Sequence, residues 1–236
     1  MSAIKLRYNY IALFLSALLI SACGNSARQT ETTAETEKES NDSTAKTSLT
    51  TGAKNILFFG TSLTAGLGVD PEQAYPAVIQ TKIDSLKLPY KVINGGLSGE
   101  TSADGKNRID WLLKQPVDIF VLELGANDGL RGIPVAETKA NLQLIIDKVK
   151  KKYPNAKQIL AGMQMPPSMG DQYTIPFKAL FPALAKKNNM DLVPFLLKDV
   201  GGVPKFIQQD GLHPNPQGHQ ILATNVWEVL HPDLEK

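Results

Sequence analysis

Residues 54–236 alternate short apolar segments with amphipathic helical patterns, and this alternation restricts the folds that the chain can adopt. Five segments that are apolar and partly β-branched are predicted to be strands: 55–60, 90–94, 118–124, 157–162 and 192–195. Strands that are separated by helices run parallel and are joined by right-handed crossovers. The sequence therefore predicts one α/β domain with three layers, α/β/α, around a central parallel sheet of about five strands.

Three helices are predicted from apolar residues at helical spacing. Their buried faces are Tyr75, Val78, Ile79, Ile83 and Leu86; Leu142, Ile145, Ile146 and Val149; and Ile221, Leu222, Asn225, Val226, Val229 and Leu230. In a sheet of this kind the functional loops leave the carboxyl ends of the strands. Ser62 lies just past the first predicted strand, so we expect it at that edge.

Two segments at opposite ends of the domain contain the residue types of a serine nucleophile site. They are Phe59-Gly60-Thr61-Ser62-Leu63 and Asp210-Gly211-Leu212-His213-Pro214. A serine hydroxyl becomes a strong nucleophile when an imidazole takes its proton and a carboxylate fixes the imidazole tautomer. The short spacing lets Asp210 and His213 share one turn, and Pro214 biases the backbone of His213 toward an extended conformation.

Acyl transfer also needs hydrogen-bond donors that point at the position where the carbonyl oxygen becomes negative. After the second predicted strand comes Asn94-Gly95-Gly96-Leu97-Ser98-Gly99-Glu100-Thr101, whose glycines allow close approach of backbone N–H groups. After the third comes Gly125-Ala126-Asn127-Asp128-Gly129, in which Asn127 offers a side-chain amide. With the Ser62 N–H, these loops can form an oxyanion hole of three donors.

Together these segments resemble the four sequence blocks of the SGNH (GDSL) hydrolases. Within that family the stretch Glu123-Leu124-Gly125-Ala126-Asn127-Asp128-Gly129-Leu130-Arg131-Gly132 is similar to the bacterial multifunctional acyl-CoA thioesterase, lysophospholipase and arylesterase group. The resemblance implies the flavodoxin-like SGNH hydrolase fold and a serine esterase or thioesterase that forms an acyl-serine, uses no cofactor and is a monomer. It also implies the site: Ser62 as nucleophile, His213 as base, Asp210 as its orienting acid, and Ser62, Gly99 and Asn127 as oxyanion donors.

One position departs from the family pattern. The chain has Thr61 where the family usually has aspartate. Because that aspartate is not a member of the catalytic triad, the change bears on hydrogen bonding in the loop and not on the reaction.

Each segment alone also fits a plain structural role. Thr61 and Ser62 suit a helix cap, the glycines suit turns, Asn127 suits a loop that bonds its own backbone, and Asp210 with His213 suits a surface turn. Two rival functions remain. One is a flavodoxin-like FMN-binding protein, in which the hydroxyls of Thr61, Ser62 and Thr64 hold a phosphate; the other is a non-catalytic surface binding module on an esterase scaffold.

The first 22 residues resemble a bacterial export signal. Lys5 and Arg7 precede an apolar run at 11–20, which is short for a membrane span. The run ends in Ile20-Ser21-Ala22-Cys23, which is similar to a lipobox, so we expect Cys23 to carry a lipid that anchors the protein to a membrane of the bacterial envelope. Gly24 follows the cysteine and favours the outer membrane, facing the periplasm. The alternative is a soluble secreted protein with a chance cysteine at this position.

Residues 23–53 contain hardly any apolar side chains, so folding them would not offset the entropy of ordering. We predict a tether there, with a reach on the order of 30 Å, between the anchor and the domain at 54–236.

Charge and motifs exclude several other classes. A net charge of +2 without long basic runs does not predict a nucleic-acid partner. No cluster has metal-ligand spacing and no phosphate-binding glycine motif is present, so we expect neither a metal nor a cofactor; His219 and His231 are expected to be structural. The partner predicted for the site is a small ester, thioester or lipid.

The loop after the fourth predicted strand contains Met163, Met165 and Met169 beside two prolines. Methionine side chains adapt their shape to what they contact. We hypothesise that this loop forms one wall of an acyl groove; the alternative is that the methionines only pack on the sheet.

Overall fold

The computed structural model of the protein describes residues 52–234. The predicted signal (1–22) and nearly all of the predicted tether (23–53) lie outside the described residues.

In the described part, five strands form one sheet: β1 Lys54–Gly60, β2 Tyr90–Gly96, β3 Ile119–Glu123, β4 Lys157–Ala161 and β5 Asp191–Val193. Their order is β2-β1-β3-β4-β5, and every neighbouring pair is parallel. The predicted parallel α/β architecture is therefore confirmed. The strand order reverses at β1, and ligands bind in such sheets beyond the carboxyl ends of the strands at that reversal.

The central strands are buried on both faces because helices cover both sides of the sheet. In β1, Ile56, Leu57, Phe58 and Phe59 are fully buried, and all of β3 is buried as well. Because neither face of these strand centres meets solvent, the fold requires the consecutive apolar residues 56–59 and 119–122.

Seven α-helices surround this sheet in residues 52–234: α1 Ser62–Ala65, α2 Tyr75–Ser85, α3 Ser102–Leu112, α4 Ala126–Leu130, α5 Val135–Lys152, α6 Asp171–Asn188 and α7 Pro216–Leu234. Helix α2 packs against α7 on one side of the sheet, while α5 packs against α3 and α6 on the other. These two helical groups and the sheet are the three predicted layers.

The helical faces agree with the sequence pattern at most positions. Residues Leu142, Ile145, Ile146 and Val149 of α5 are fully buried. The prediction for Leu86 was wrong, because α2 ends at Ser85 and Leu86 lies at its carboxyl cap with half of its surface exposed.

Helices α3 and α6 were not predicted individually. In α6 the prolines Pro176 and Pro182 lie inside the helix and obscure its pattern. Helix α3 begins with a capping box between Thr101 and Asp104. The usual capping box has Glu or Gln at the second position, and here the shorter Asp takes its place.

Gly96 lets the end of β2 approach the short helix α1 closely. A Cβ atom on Gly96 would lie 2.2 Å from the backbone nitrogen of Ala65, so only glycine fits between this strand and the helix. Within residues 52–234, no helix is long and apolar enough to cross a bilayer.

Candidate active site

The structure brings Ser62, His213 and Asp210 into one chain of hydrogen bonds. Ser62 begins α1, with only Thr61 between it and β1, whereas His213 comes from the loop before α7. The Ser62 Oγ lies 2.9 Å from His213 Nε2, and His213 Nδ1 lies 2.6 Å from Asp210 Oδ2. Residues separated by 151 positions in the chain thus meet with the connectivity of a nucleophile, a base and an orienting carboxylate.

The turn that carries His213 is built around the Asp210 carboxylate. Asp210 Oδ1 accepts hydrogen bonds from the backbone N–H groups of Leu212 at 2.9 Å and His213 at 3.0 Å. Gly211, between them, has a φ of +72°, in the left-handed region that favours glycine. The Gln208 N–H donates to the His213 carbonyl and holds the far side of the turn.

Those backbone hydrogen bonds also determine the charge of Asp210. The N–H of His213 first, then that of Leu212, and then the imidazole hydrogen bond lower the pKa of Asp210 to about 2. The carboxylate is therefore ionised at neutral pH, as a group that accepts a hydrogen from His213 Nδ1 must be.

The three predicted oxyanion donors border the same cavity as the triad. The Ser62 N–H has no acceptor within its own helix because it belongs to the first turn of α1. Gly99 has a φ of +81°, and its carbonyl accepts a hydrogen bond from Arg131 Nη2 at 2.9 Å. Asn127 Nδ2 donates to the Glu100 carbonyl at 2.9 Å, and an amide nitrogen carries a second hydrogen.

Buried charged groups hold these loops together, and sequence reasoning did not identify them. Glu100 is almost fully buried and accepts two hydrogen bonds from the guanidinium of Arg108, at 2.5 and 2.6 Å. Asp128 is fully buried and accepts hydrogen bonds from the backbone N–H and the hydroxyl of Ser102. The loops that follow β2 and β3 are thereby fixed to one another.

Two more buried groups lie near the triad. Glu123, at the end of β3, contacts Thr61 and Thr64 on either side of Ser62. His219 is buried in α7 and accepts a hydrogen bond from the Tyr75 N–H at 3.2 Å. In the sequence, the one sign that Glu123 has a special role is its position as a single glutamate at the end of an otherwise apolar strand.

Next to Ser62 lies a cavity of about 580 Å³. Apolar side chains from several loops line it, among them Leu67, Leu130, Met163, Met165 and Phe195. Met169 does not line it, so only part of the predicted methionine wall faces the cavity. None of the described residues that line the cavity is Asp, Glu, Lys or Arg. The predicted nucleophile thus lies beside an uncharged, mostly apolar cavity.

Comparisons with known proteins agree with this geometry. Residues 58–221 match the GDSL-like lipase/acylhydrolase family. The chain is 38% identical to esterase TesA of Pseudomonas aeruginosa, over 77% of this chain and 90% of that protein. It is 36% identical to thioesterase 1/protease 1/lysophospholipase L1 of Escherichia coli, over 76% and 85% of the two chains.

A solved structure shows the same fold. The psychrotrophic esterase EstA from Pseudoalteromonas, in a crystal structure inhibited by monoethylphosphonate, matches with a TM-score of 0.72 and 32% identity. The match covers 78% of this chain and all of that one.

Proposed function

The chain belongs to the GDSL-like lipase/acylhydrolase family, and we propose that it hydrolyses carboxylic ester or thioester bonds through an acyl-serine intermediate on Ser62. The observation that carries the proposal is the distance of 2.9 Å between Ser62 Oγ and His213 Nε2, in an imidazole whose other nitrogen faces an ionised Asp210. In this arrangement His213 Nε2 accepts the hydroxyl proton of Ser62 as Ser62 Oγ attacks.

In the proposed reaction Ser62 Oγ bonds to the substrate carbonyl carbon while His213 Nε2 takes its proton. The carbonyl electron pair moves to the oxygen, which the N–H groups of Ser62, Gly99 and Asn127 stabilise. Collapse of this intermediate breaks the bond to the leaving group, which receives the proton from His213. Water then attacks the acyl-serine, gives its proton to His213, and the proton returns to Ser62 Oγ as the acid departs.

The cavity supports an uncharged acyl chain as the part of the substrate that is bound beside Ser62. Apolar walls favour methylene groups by removing them from water. A phosphate or carboxylate in the same place would lose its hydration without an Arg or Lys among the lining residues to compensate. A charged or bulky leaving group therefore extends out of the cavity. Aryl esters, thioesters and lysophospholipids all meet this requirement.

The proposed substrate class is tested with a panel of acyl donors. We expect p-nitrophenyl octanoate to be hydrolysed with a higher kcat/KM than the acetate, because the longer chain fills the apolar cavity. Acyl-CoA and a lysophospholipid of the same acyl length show which leaving group is preferred. A protein that cleaves none of these donors contradicts the proposed function.

Replacing Met165 by alanine is expected to shift the preferred acyl length toward longer chains. The Met165 side chain lines the cavity and packs against Gly129, where a Cβ would lie 2.2 Å from its sulfur. Its removal lengthens the cavity, and we expect a change of about 3- to 30-fold in the ratio of kcat/KM for laurate and butyrate esters. The matched control is Met169→Ala, from the same loop but outside the cavity lining, which should leave the ratio unchanged. An unchanged ratio in both variants would rule out the groove.

The FMN-binding alternative conflicts with the surroundings of the hydroxyls that it requires. Thr61 and Thr64 are buried and donate their hydroxyl hydrogens to Glu123. A phosphate at that position would have to displace the Glu123 carboxyl group, which already accepts both hydroxyl hydrogens. The same hydroxyls therefore do not form a phosphate site.

We also propose that Cys23 carries a lipid and that the enzyme is held on the outer membrane, facing the periplasm. The support is the order of basic residues, apolar run and Ile20-Ser21-Ala22-Cys23 in the sequence. Cys23→Ser is expected to move the protein from the detergent-soluble membrane fraction to the soluble fraction, with kcat on a short ester within about twofold of wild type, since the domain begins some 30 residues later. A variant that stays in the membrane fraction contradicts lipidation at this cysteine.

A further inference from the structure

One buried carboxylate near Ser62 has no role in the reaction as written. Glu123 is the last residue of β3 and is fully buried. Its Oε2 accepts hydrogen bonds from the Thr61 N–H at 2.8 Å, the Thr61 hydroxyl at 3.2 Å and the Thr64 hydroxyl at 2.8 Å. Glu123 makes no ion pair with any basic residue in the described range 52–234.

The donors that surround Glu123 come from the turn that carries the nucleophile. Thr61 precedes Ser62, and Thr64 lies two residues after it in α1. The carboxylate therefore holds both sides of the turn against the end of β3. It fixes the peptide between Gly60 and Thr61 and the side chains of Thr61 and Thr64, and it thereby limits the backbone positions open to Ser62 between them.

The Glu123 carboxyl group packs closely against the backbone of Gly60. Gly60 is the register partner of Glu123 across β1 and β3. A Cβ on Gly60 would lie 2.5 Å from Glu123 Oε2 and 2.1 Å from the Thr64 hydroxyl oxygen. The glycine before the nucleophile turn is thus required by the close approach of the carboxylate.

We propose that Glu123 is a positioning residue that orients the nucleophile and the oxyanion donor of Ser62 by binding Thr61 and Thr64. A buried carboxylate without a cation is costly to keep, and here its hydrogen-bond donors come from the residues that flank Ser62. Thr61, which stands where the family usually has aspartate, contributes two of those donors, its N–H and its hydroxyl. This inference rests on the proposed function, because it concerns the geometry of the same attack.

Variants at Glu123 test the proposal. Glu123→Ala is expected to lower kcat for a p-nitrophenyl ester by about 10- to 100-fold, since a misplacement on the order of 1 Å has that effect on a reacting group. KM should change by less than about threefold, because the cavity that binds the acyl chain is not altered. Glu123→Gln should recover most of kcat, since its amide oxygen can take the place of Oε2.

Thr64→Val gives a second measurement if the alanine variant does not fold. It keeps the shape of the side chain, removes one of the donors and is expected to lower kcat about 3- to 10-fold. The matched control is Tyr153→Phe, which loses hydrogen bonds to the Leu113 and Gln115 carbonyls, at 2.8 and 2.6 Å, away from the site. It should lower Tm without changing kcat.

The pH dependence of stability provides a third measurement. Burial raises the pKa of Glu123 to about 7, so the folded protein retains a proton that the unfolded chain releases near the ordinary value of 4.5. Stability therefore falls as pH rises between these values. Burial lowers the pKa of His219 from its ordinary value of 6.5 to about 4. The unfolded chain therefore binds a proton that the folded protein does not, and the contribution of His219 to stability rises with pH between these values. The neighbouring Tyr75, which bonds Thr64 at 2.9 Å, stays neutral because burial raises its pKa.

Glu123→Gln removes the first of these effects and leaves the second. The Tm of the glutamine variant relative to wild type should therefore increase from about pH 5 to about pH 8. A difference that does not change with pH would contradict the buried position of the carboxylate.

The result that overturns the positioning role is a folded Glu123→Ala or Thr64→Val variant with the kcat of wild type. This is distinct from failure of the proposed function, which would appear as a wild-type protein without esterase activity or as an active enzyme that does not need Ser62.

Discussion

Replacing Ser62 by alanine is expected to lower kcat for a p-nitrophenyl ester by about 10⁴- to 10⁶-fold, the range that is typical for loss of a serine nucleophile. The Ser62 Oγ lies 2.9 Å from His213 Nε2. Within residues 52–234, no other hydroxyl forms a hydrogen bond with that nitrogen. The residual rate would come from the oxyanion donors and the cavity alone.

The fold should tolerate this change. Ser62 loses a single oxygen, and the network that holds its turn runs through Thr61 and Thr64. We therefore expect the Tm of Ser62→Ala to be equal to or slightly above that of wild type. A fluorophosphonate probe should label wild type and not the variant, which also separates an active enzyme from a non-catalytic binding module.

The matched control for this substitution is Ser168→Ala, an exposed serine in the loop after β4 that does not line the cavity. It should keep full activity and full labelling of Ser62. A Ser62→Ala protein that retains turnover near the wild-type rate would contradict the acyl-serine mechanism.

The architecture could be predicted from the sequence because the strongest local signals coincide with the sheet. Residues 56–59 of β1 and 119–122 of β3 are uninterrupted apolar runs, and glycine and polar residues follow each run. The order of strands alternating with helices then leaves few topologies. What the local pattern missed was set by tertiary contacts, as for α6, where packing of Phe177, Leu180 and Phe181 in the core overrides two internal prolines.

The positions of Ser62, Asp210 and His213 could be predicted because each lies in a short segment whose residue types have a known joint chemistry. The residues whose hydrogen bonds hold the loops of the site in place could not be predicted. Arg131 lies in the stretch that resembles the family, but nothing in the residues around it along the chain shows that it binds the Gly99 carbonyl. Glu123 is one acidic residue at the end of a strand, and nothing in its neighbourhood along the chain shows that Thr61 will bind it.

The site depends on the point where the strand order reverses. β1 leads to Ser62, β2 to Gly99 and β3 to Asn127, so three neighbouring strands bring the predicted nucleophile and the predicted oxyanion donors to one edge. The predicted base, His213, comes from outside the sheet, on the loop before α7. Its position therefore depends on the hydrogen bonds of that loop.

Asp210→Asn tests how much of the activity depends on those hydrogen bonds, and we expect it to lower kcat by about 10³- to 10⁴-fold. The amide oxygen can still accept from the Leu212 and His213 N–H groups, so the turn should keep its shape. The amide nitrogen then faces His213 Nδ1 in the place of Oδ2. Because that nitrogen can only donate, the hydrogen of the neutral imidazole moves to Nε2, which can no longer accept the Ser62 proton.

Nearly half of the Asp210 side chain is open to solvent, and water screens its charge, so an argument from charge alone predicts a smaller effect. The tautomer argument does not depend on the charge, because it follows from which group donates to Nδ1. Asp199→Asn, at another exposed aspartate, is the matched control and should keep kcat within about twofold. If Asp210→Asn loses less than about tenfold in kcat while its Tm is that of wild type, the carboxylate does not select the tautomer and His213 is oriented by its backbone alone.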